Sequence, residues 1–194
     1  MTAPIPDVID HLVGVTQASP LHALRIQRTQ ARDNAQASYL ALFRPADPGD
    51  VSLAERHAIA VFVAGLHQQP DIAAFYATGL PSNLETAIAA EAKSGAAKGP
   101  YGDYPKGPLT PENTAGPSYA ITAANQATIG PRLSAAFAHA HTLVFHPRDA
   151  APAALQALLD AGWTTTGIVT LSQLVAFLSF QIRVVTGLRT LAAA

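Results

Sequence analysis

The residues able to move a proton or hold a metal fall into two groups. The first is Glu55, His57 and His67. Glu55 and His57 are two positions apart, so on one helix they point about 200° from each other and cannot both face one pocket. His57 and His67 share a helical face but are separated by about 15 Å of rise, too far for a common metal ion. Glu55 also has a structural use as the acid of a capping box with Ser52, while His57 either shuttles a proton or lies on the surface. The second group is His139, His141 and His146, with Asp149 close behind. On a helix His139 and His141 diverge by about 200°, whereas His146, beyond the helix end, can fold back on either. No further acids complete a three-ligand set, so the expectation is no metal and no cofactor. Near a helix C-terminus such histidines can instead satisfy carbonyl groups.

Two arginines are candidate anion anchors. Arg148, in the turn His146-Pro147-Arg148-Asp149, either binds a carboxylate substrate or seals the turn onto the next helix. Arg183 stands in an apolar stretch, so it either pairs with an acid such as Glu55 or Glu85 or leaves the core. Tyr101, Tyr104 and Lys106 lie in a glycine- and proline-rich segment that can act as a lid, dock on another subunit or form an ordered surface loop. No G-x-S-x-G elbow, P-loop or dinucleotide glycine fingerprint occurs.

Composition removes further classes. The 194 residues contain no cysteine, which excludes disulfides, thiolate nucleophiles and cysteine-held metals. Lys plus Arg (12) against Asp plus Glu (13) gives a net charge of −1, arguing against nucleic acid or an anionic membrane as partner. With 49% hydrophobic and 13% charged residues, the chain has the means to bury a core. The N-terminus lacks a basic segment followed by an apolar one, and the run from Ile168 to Leu188 is broken by Ser172, Gln173, Ser179, Gln181 and Arg183. The expectation is a cytoplasmic protein without a membrane span.

Abundant alanine and leucine at helical spacing, with little alternation, predict an all-α fold. A short helix starts after Asp7 and stops near Gly14; a second runs from Ser19-Pro20 to about Phe43, with Leu21, Leu24, Ala31, Ala35, Tyr39, Leu42 and Phe43 inward and Arg25, Arg28, Arg32 and Asp33 outward. Ser52 opens a third, bearing Ile59, Val63 and Leu66. Shorter helices follow over 72–77 and 83–93. The second half is helical from Tyr119 to Val144, divided at Gly130-Pro131. A short helix over 153–161 ends at Gly162, and Trp163 to Thr166 cap a long helix whose apolar residues run almost all round it. The expected organisation is one domain: a half over 1–93, an irregular connection over 94–118 and a helical half over 119–194.

Two stretches resemble a known family. Leu53-Ala-Glu55-Arg56-His57-Ala-Ile59, continuing to His67, is similar to the helix leading into the active site of carboxymuconolactone decarboxylase and alkylhydroperoxidase D-like proteins. Residues 157–183, where Gly162-Trp163 opens a long apolar helix with a Phe180-x-x-Arg183 pattern, resemble the closing segment of the peroxidase-related branch. The resemblance implies an alkylhydroperoxidase D-like helical bundle. It places the family's acid at His57, its two cysteines at Gln69 and Ile72, and its trailing histidine at Tyr76. All four depart from the family pattern, so thiol peroxidase chemistry is withdrawn. The resemblance then implies a pocket at His57, Gln69 and Tyr76, with Arg148 or Arg183 as anchor, acting on a small carboxylated or lactone-like molecule. The alternative is a non-catalytic binding or assembly protein. So few charges also predict a homo-oligomer.

Overall fold

The computed structural model describes residues 5–193. Its regular structure is nine α-helices and two short 3-10 turns, with no β-strand among the described residues. The chain forms two compact units: one joins the segment up to Asp47 with the chain from Ser179 onward, the other is Pro48–Leu178.

The first unit holds α1 (Val8–Val13), α2 (Pro20–Ile26), α3 (Thr29–Phe43) and the final part of α9 (Thr165–Ala192). Asp7 caps α1 by accepting the Asp10 N–H at 2.8 Å, and Ser19 caps α2. The expected single helix from Ser19 to Phe43 is two helices. The Thr29 hydroxyl donates to the Ile26 carbonyl at 2.8 Å, a local competition with the backbone ladder at the break. Ala35, Tyr39, Leu42 and Phe43 are buried as expected, but Leu24 is exposed. Arg25 and Arg32, expected to face outward, instead turn onto Asp7 and Asp10. Both guanidinium groups reach Asp7 at 2.8 Å, and each also pairs with Asp10.

In the second unit, α4 (Leu53–Leu66) packs against α5 (Pro70–Ala77), α6 (Ser82–Ser94) and α7 (Ala123–Phe145), and α7 also meets α8 (Pro152–Asp160). Reciprocal hydrogen bonds between Ser52 and Glu55 start α4. Every residue from Ala58 to Ala64 is buried, and Phe62 stacks on Phe137 of α7 at 4.3 Å between ring centres. Gly130, at φ 76°, bends α7 immediately before Pro131, where the helical ladder has no N–H to offer. Gly162 ends α8 in a left-handed conformation, and Thr164 accepts the Gly167 N–H at the start of α9.

The apolar residues expected around α9 (Ile168, Leu171, Leu174, Val175, Phe177, Leu178, Ile182 and Val185) are all buried. By length and composition α9 could cross a membrane; 44% of its most apolar window is buried within the protein.

Candidate functional site

The structure brings His57 and Tyr76 together and sets the other expected residues elsewhere. His57 Nδ1 lies 2.7 Å from the Tyr76 carbonyl, so that nitrogen donates, and the two rings meet edge to face at 6.2 Å. Tyr76 is fully buried at the end of α5. Gln69 stands at the opposite end of α5, its amide near the His67 carbonyl at 3.4 Å. The cleft of about 420 Å³ among α4, α5 and α6 is lined by neighbouring positions, including Val61, Gly65, Gln68 and Ala73, not by His57, Gln69 or Tyr76. Arg183 is exposed and donates to the Ser179 carbonyl one turn back. Its suggested partner Glu55 is held by Arg132 at 2.6 Å. Arg148 lies over the Tyr104 ring at 4.1 Å, so its guanidinium faces the 94–118 connection and not the next helix.

The chemistry-bearing side chains converge at the second histidine group. A cleft of about 420 Å³ is lined by His139, His141, Thr142, His146 and Asp149, with alanines of α7 and α8 and Gly116, Ser118 and Tyr119 completing it. His139 and His141 both line it despite their helical divergence. The floor is the flank of α7, and the segment 94–118 closes over its end. Tyr101 N–H donates to the Phe145 carbonyl at 2.6 Å, and the Tyr101 ring lies 5.2 Å from His146. Asp103 N–H donates to Asp149 at 3.0 Å. At Gly102 (φ 110°) a Cβ would stand 2.6 Å from an Asp149 oxygen, so this approach requires glycine. His146 folds back on His141, with ring centres 5.9 Å apart, and His141 stacks on Tyr119 at 5.3 Å.

Hydrogen bonds determine which ring nitrogens carry protons. Ser172 Oγ donates to the Ile168 carbonyl at 2.9 Å, so its oxygen is left to accept from His139 Nε2–H at 3.1 Å. His139 Nδ1 is then a bare lone pair, buried and without a hydrogen-bond partner. Burial holds this imidazole below the usual histidine range, keeping it neutral at pH 7. His141 Nε2–H donates to the Gly95 carbonyl, the end of α6, at 3.0 Å. Burial, reinforced by neighbouring His146, also lowers His141, against the raising effect of that carbonyl. His146 meets two acceptors, Asp149 at 3.1 Å and the Pro117 carbonyl at 2.9 Å. The Asp103 N–H, then His146, hold Asp149 below the ordinary carboxylate range. The cleft wall therefore holds a neutral imidazole, its Nδ1 lone pair buried behind the surface, beside a His–Asp pair, a combination able to accept a proton or a hydrogen bond once that ring turns.

Sequence reasoning passed over the groups that support this arrangement. Glu91 is fully buried and accepts from Tyr119 Oη at 2.7 Å, from Asn125 at 2.8 Å and from both the amide and hydroxyl of Thr122. Burial alone would raise its carboxyl, but these donors outweigh it and hold it low. Burial and that carboxylate push the Tyr119 phenol upward, so it stays a donor. The available signal was Glu91's place on the stripe of Ala87 and Ile88, where an acid needs partners. Arg132 likewise joins Glu55 to the Gly162 and Asp50 carbonyls and lies 4.2 Å over the Trp163 ring. Among the described residues, no group of three acids or histidines is placed to hold a metal ion. No protein-family model matches this chain, and no curated protein matches it.

Proposed function

We propose that this chain is a cysteine-free, peroxidase-related protein of the carboxymuconolactone decarboxylase and alkylhydroperoxidase D-like group that binds a small lactone-like molecule and moves a proton on it. The observation that carries the reading is the bare Nδ1 of His139 in the wall of a ligand-sized cleft, next to the His146–Asp149 pair. The stretch from Leu53 to His67 on α4 and the Gly162-Trp163 turn into α9 support the family assignment. In the reaction envisaged, a C–H bond beside the lactone carbonyl system breaks, its electron pair moves toward the carbonyl oxygen, and His139 Nδ1 takes the proton.

The test follows 2(5H)-furanone by proton NMR in deuterated buffer. Protein-accelerated exchange of its ring protons, lost in His139→Gln, supports the proposal. Exchange at the buffer rate, without shifts of the His139 or His141 resonances, refutes it. Exposed Leu24, Ile26, Phe180 and Leu191 also favour self-association, as a homo-oligomer. A solution mass of only 20.1 kDa would exclude that part of the proposal.

A further inference from the structure

Building on the cleft reading above, we infer that the ligand of the histidine cleft carries a hydroxyl donor on a compact ring, an enol or a phenol, and not a carboxylate. The cleft wall is rich in acceptors. His139 Nδ1 is a lone pair without a partner, and His139 is 8% exposed. The Thr142 hydroxyl spends its proton on the Ala138 carbonyl at 3.1 Å, leaving its oxygen as an acceptor. Asp149 contributes a carboxylate. Neither lysine nor arginine lines the cleft, and the nearby Arg148 guanidinium lies against Tyr104. An anionic carboxylate would thus meet an imidazole lone pair and a second carboxylate, and the positive groups nearby, His146 and Arg148, already act on Asp149.

A hydroxyl supplies what this wall lacks. It satisfies the buried acceptor once the ring rotates about its broad terminal torsion to turn Nδ1 toward the ligand, a movement that also shifts Nε2 against Ser172. The alanines at 135, 138, 154 and 157 leave room for a flat ring, and about 420 Å³ exceeds what a benzene-sized molecule requires.

The experiment uses phenol, toluene and benzoate, which share a ring and differ in the group presented. Each is titrated into the full chain while the histidine side-chain ¹⁵N resonances are recorded. Phenol is expected to bind about tenfold more tightly than toluene, with the largest shift at His139 Nδ1, and benzoate more weakly than either. In His139→Phe the preference for phenol over toluene should vanish. Ser172→Ala, which frees the ring to protonate at Nδ1, should reduce it in a protein with an intact His139. Equal binding of phenol and toluene to the unaltered chain overturns the donor requirement while leaving the cleft reading in place. Benzoate binding as tightly as phenol overturns the class, and a preference for phenol that survives both substitutions overturns the role of His139. Binding of none of the three at millimolar concentration overturns this inference, while the reading it rests on stands or falls on the furanone exchange alone.

Discussion

Glu91→Gln is the sharpest test of how the second unit is held together. The carboxylate is fully buried and satisfied by neutral donors from three residues: the Tyr119 hydroxyl at 2.7 Å, the Asn125 amide at 2.8 Å, and the amide and hydroxyl of Thr122. Glutamine has nearly the same shape, but its NH₂ replaces one acceptor where donors converge. The Thr122 amide loses a partner or the Tyr119 hydroxyl must turn to accept, and the remaining bonds lose their charge. Charged hydrogen bonds contribute about 1.5–3 kcal/mol each against about 0.5–1.5 for neutral ones. Relief of the buried charge offsets part of that difference, leaving a net loss of about 2–4 kcal/mol at pH 7.

The pH dependence carries the stronger signature. The folded-state pKa of Glu91 lies below its ordinary 4.5, so the unfolded chain binds the proton more readily. Its stabilisation is fully present above about pH 4.5 and is lost as pH falls through the folded value, so the unaltered and substituted proteins should converge in acid. The single tryptophan, Trp163, is buried in the same unit and reports unfolding in urea. A loss under 0.5 kcal/mol at pH 7, or a gap that stays constant on acidification, would refute the reasoning.

Asp7→Asn leaves Arg25 and Arg32 with Asp10 alone, and should destabilise the first unit by about 3–5 kcal/mol, read as a fall in the midpoint of helix melting by circular dichroism. Its donors hold Asp7 below the ordinary carboxylate range although burial opposes them, so here too the stabilisation present at neutral pH fades in acid. Arg132→Met removes the link among Glu55, Gly162 and Asp50; the half-exposed site makes the expected loss smaller, about 1–3 kcal/mol, with a lowered urea midpoint and an altered Trp163 emission. With no thiolate in the chain, consumption of a hydroperoxide in the presence of a dithiol should equal buffer; protein-dependent turnover that survives chelation would contradict this.

The sequence by itself determined the helical class and most helix ends, because these depend on local chemistry. The Ser52–Glu55 box, the Gly130-Pro131 bend, the Gly162 stop and the apolar residues around α9 act within a turn or two of chain, and all stand where periodicity and capping place them. The division between Ile26 and Thr29 escaped periodicity because one hydroxyl competes there with the backbone. Tertiary structure decided the ion pairs and the histidine cleft. Arg25 and Arg32 face inward only because Asp7 and Asp10, up to 25 residues away, are folded against them. His139 and His141 diverge on their own helix, and they share one cleft only because α8 and the 94–118 connection close around both. The protonation pattern of that cleft is equally non-local. Ser172 lies 33 positions from His139 and Gly95 lies 46 from His141, and pattern reading along a chain cannot supply the partner that sets a tautomer.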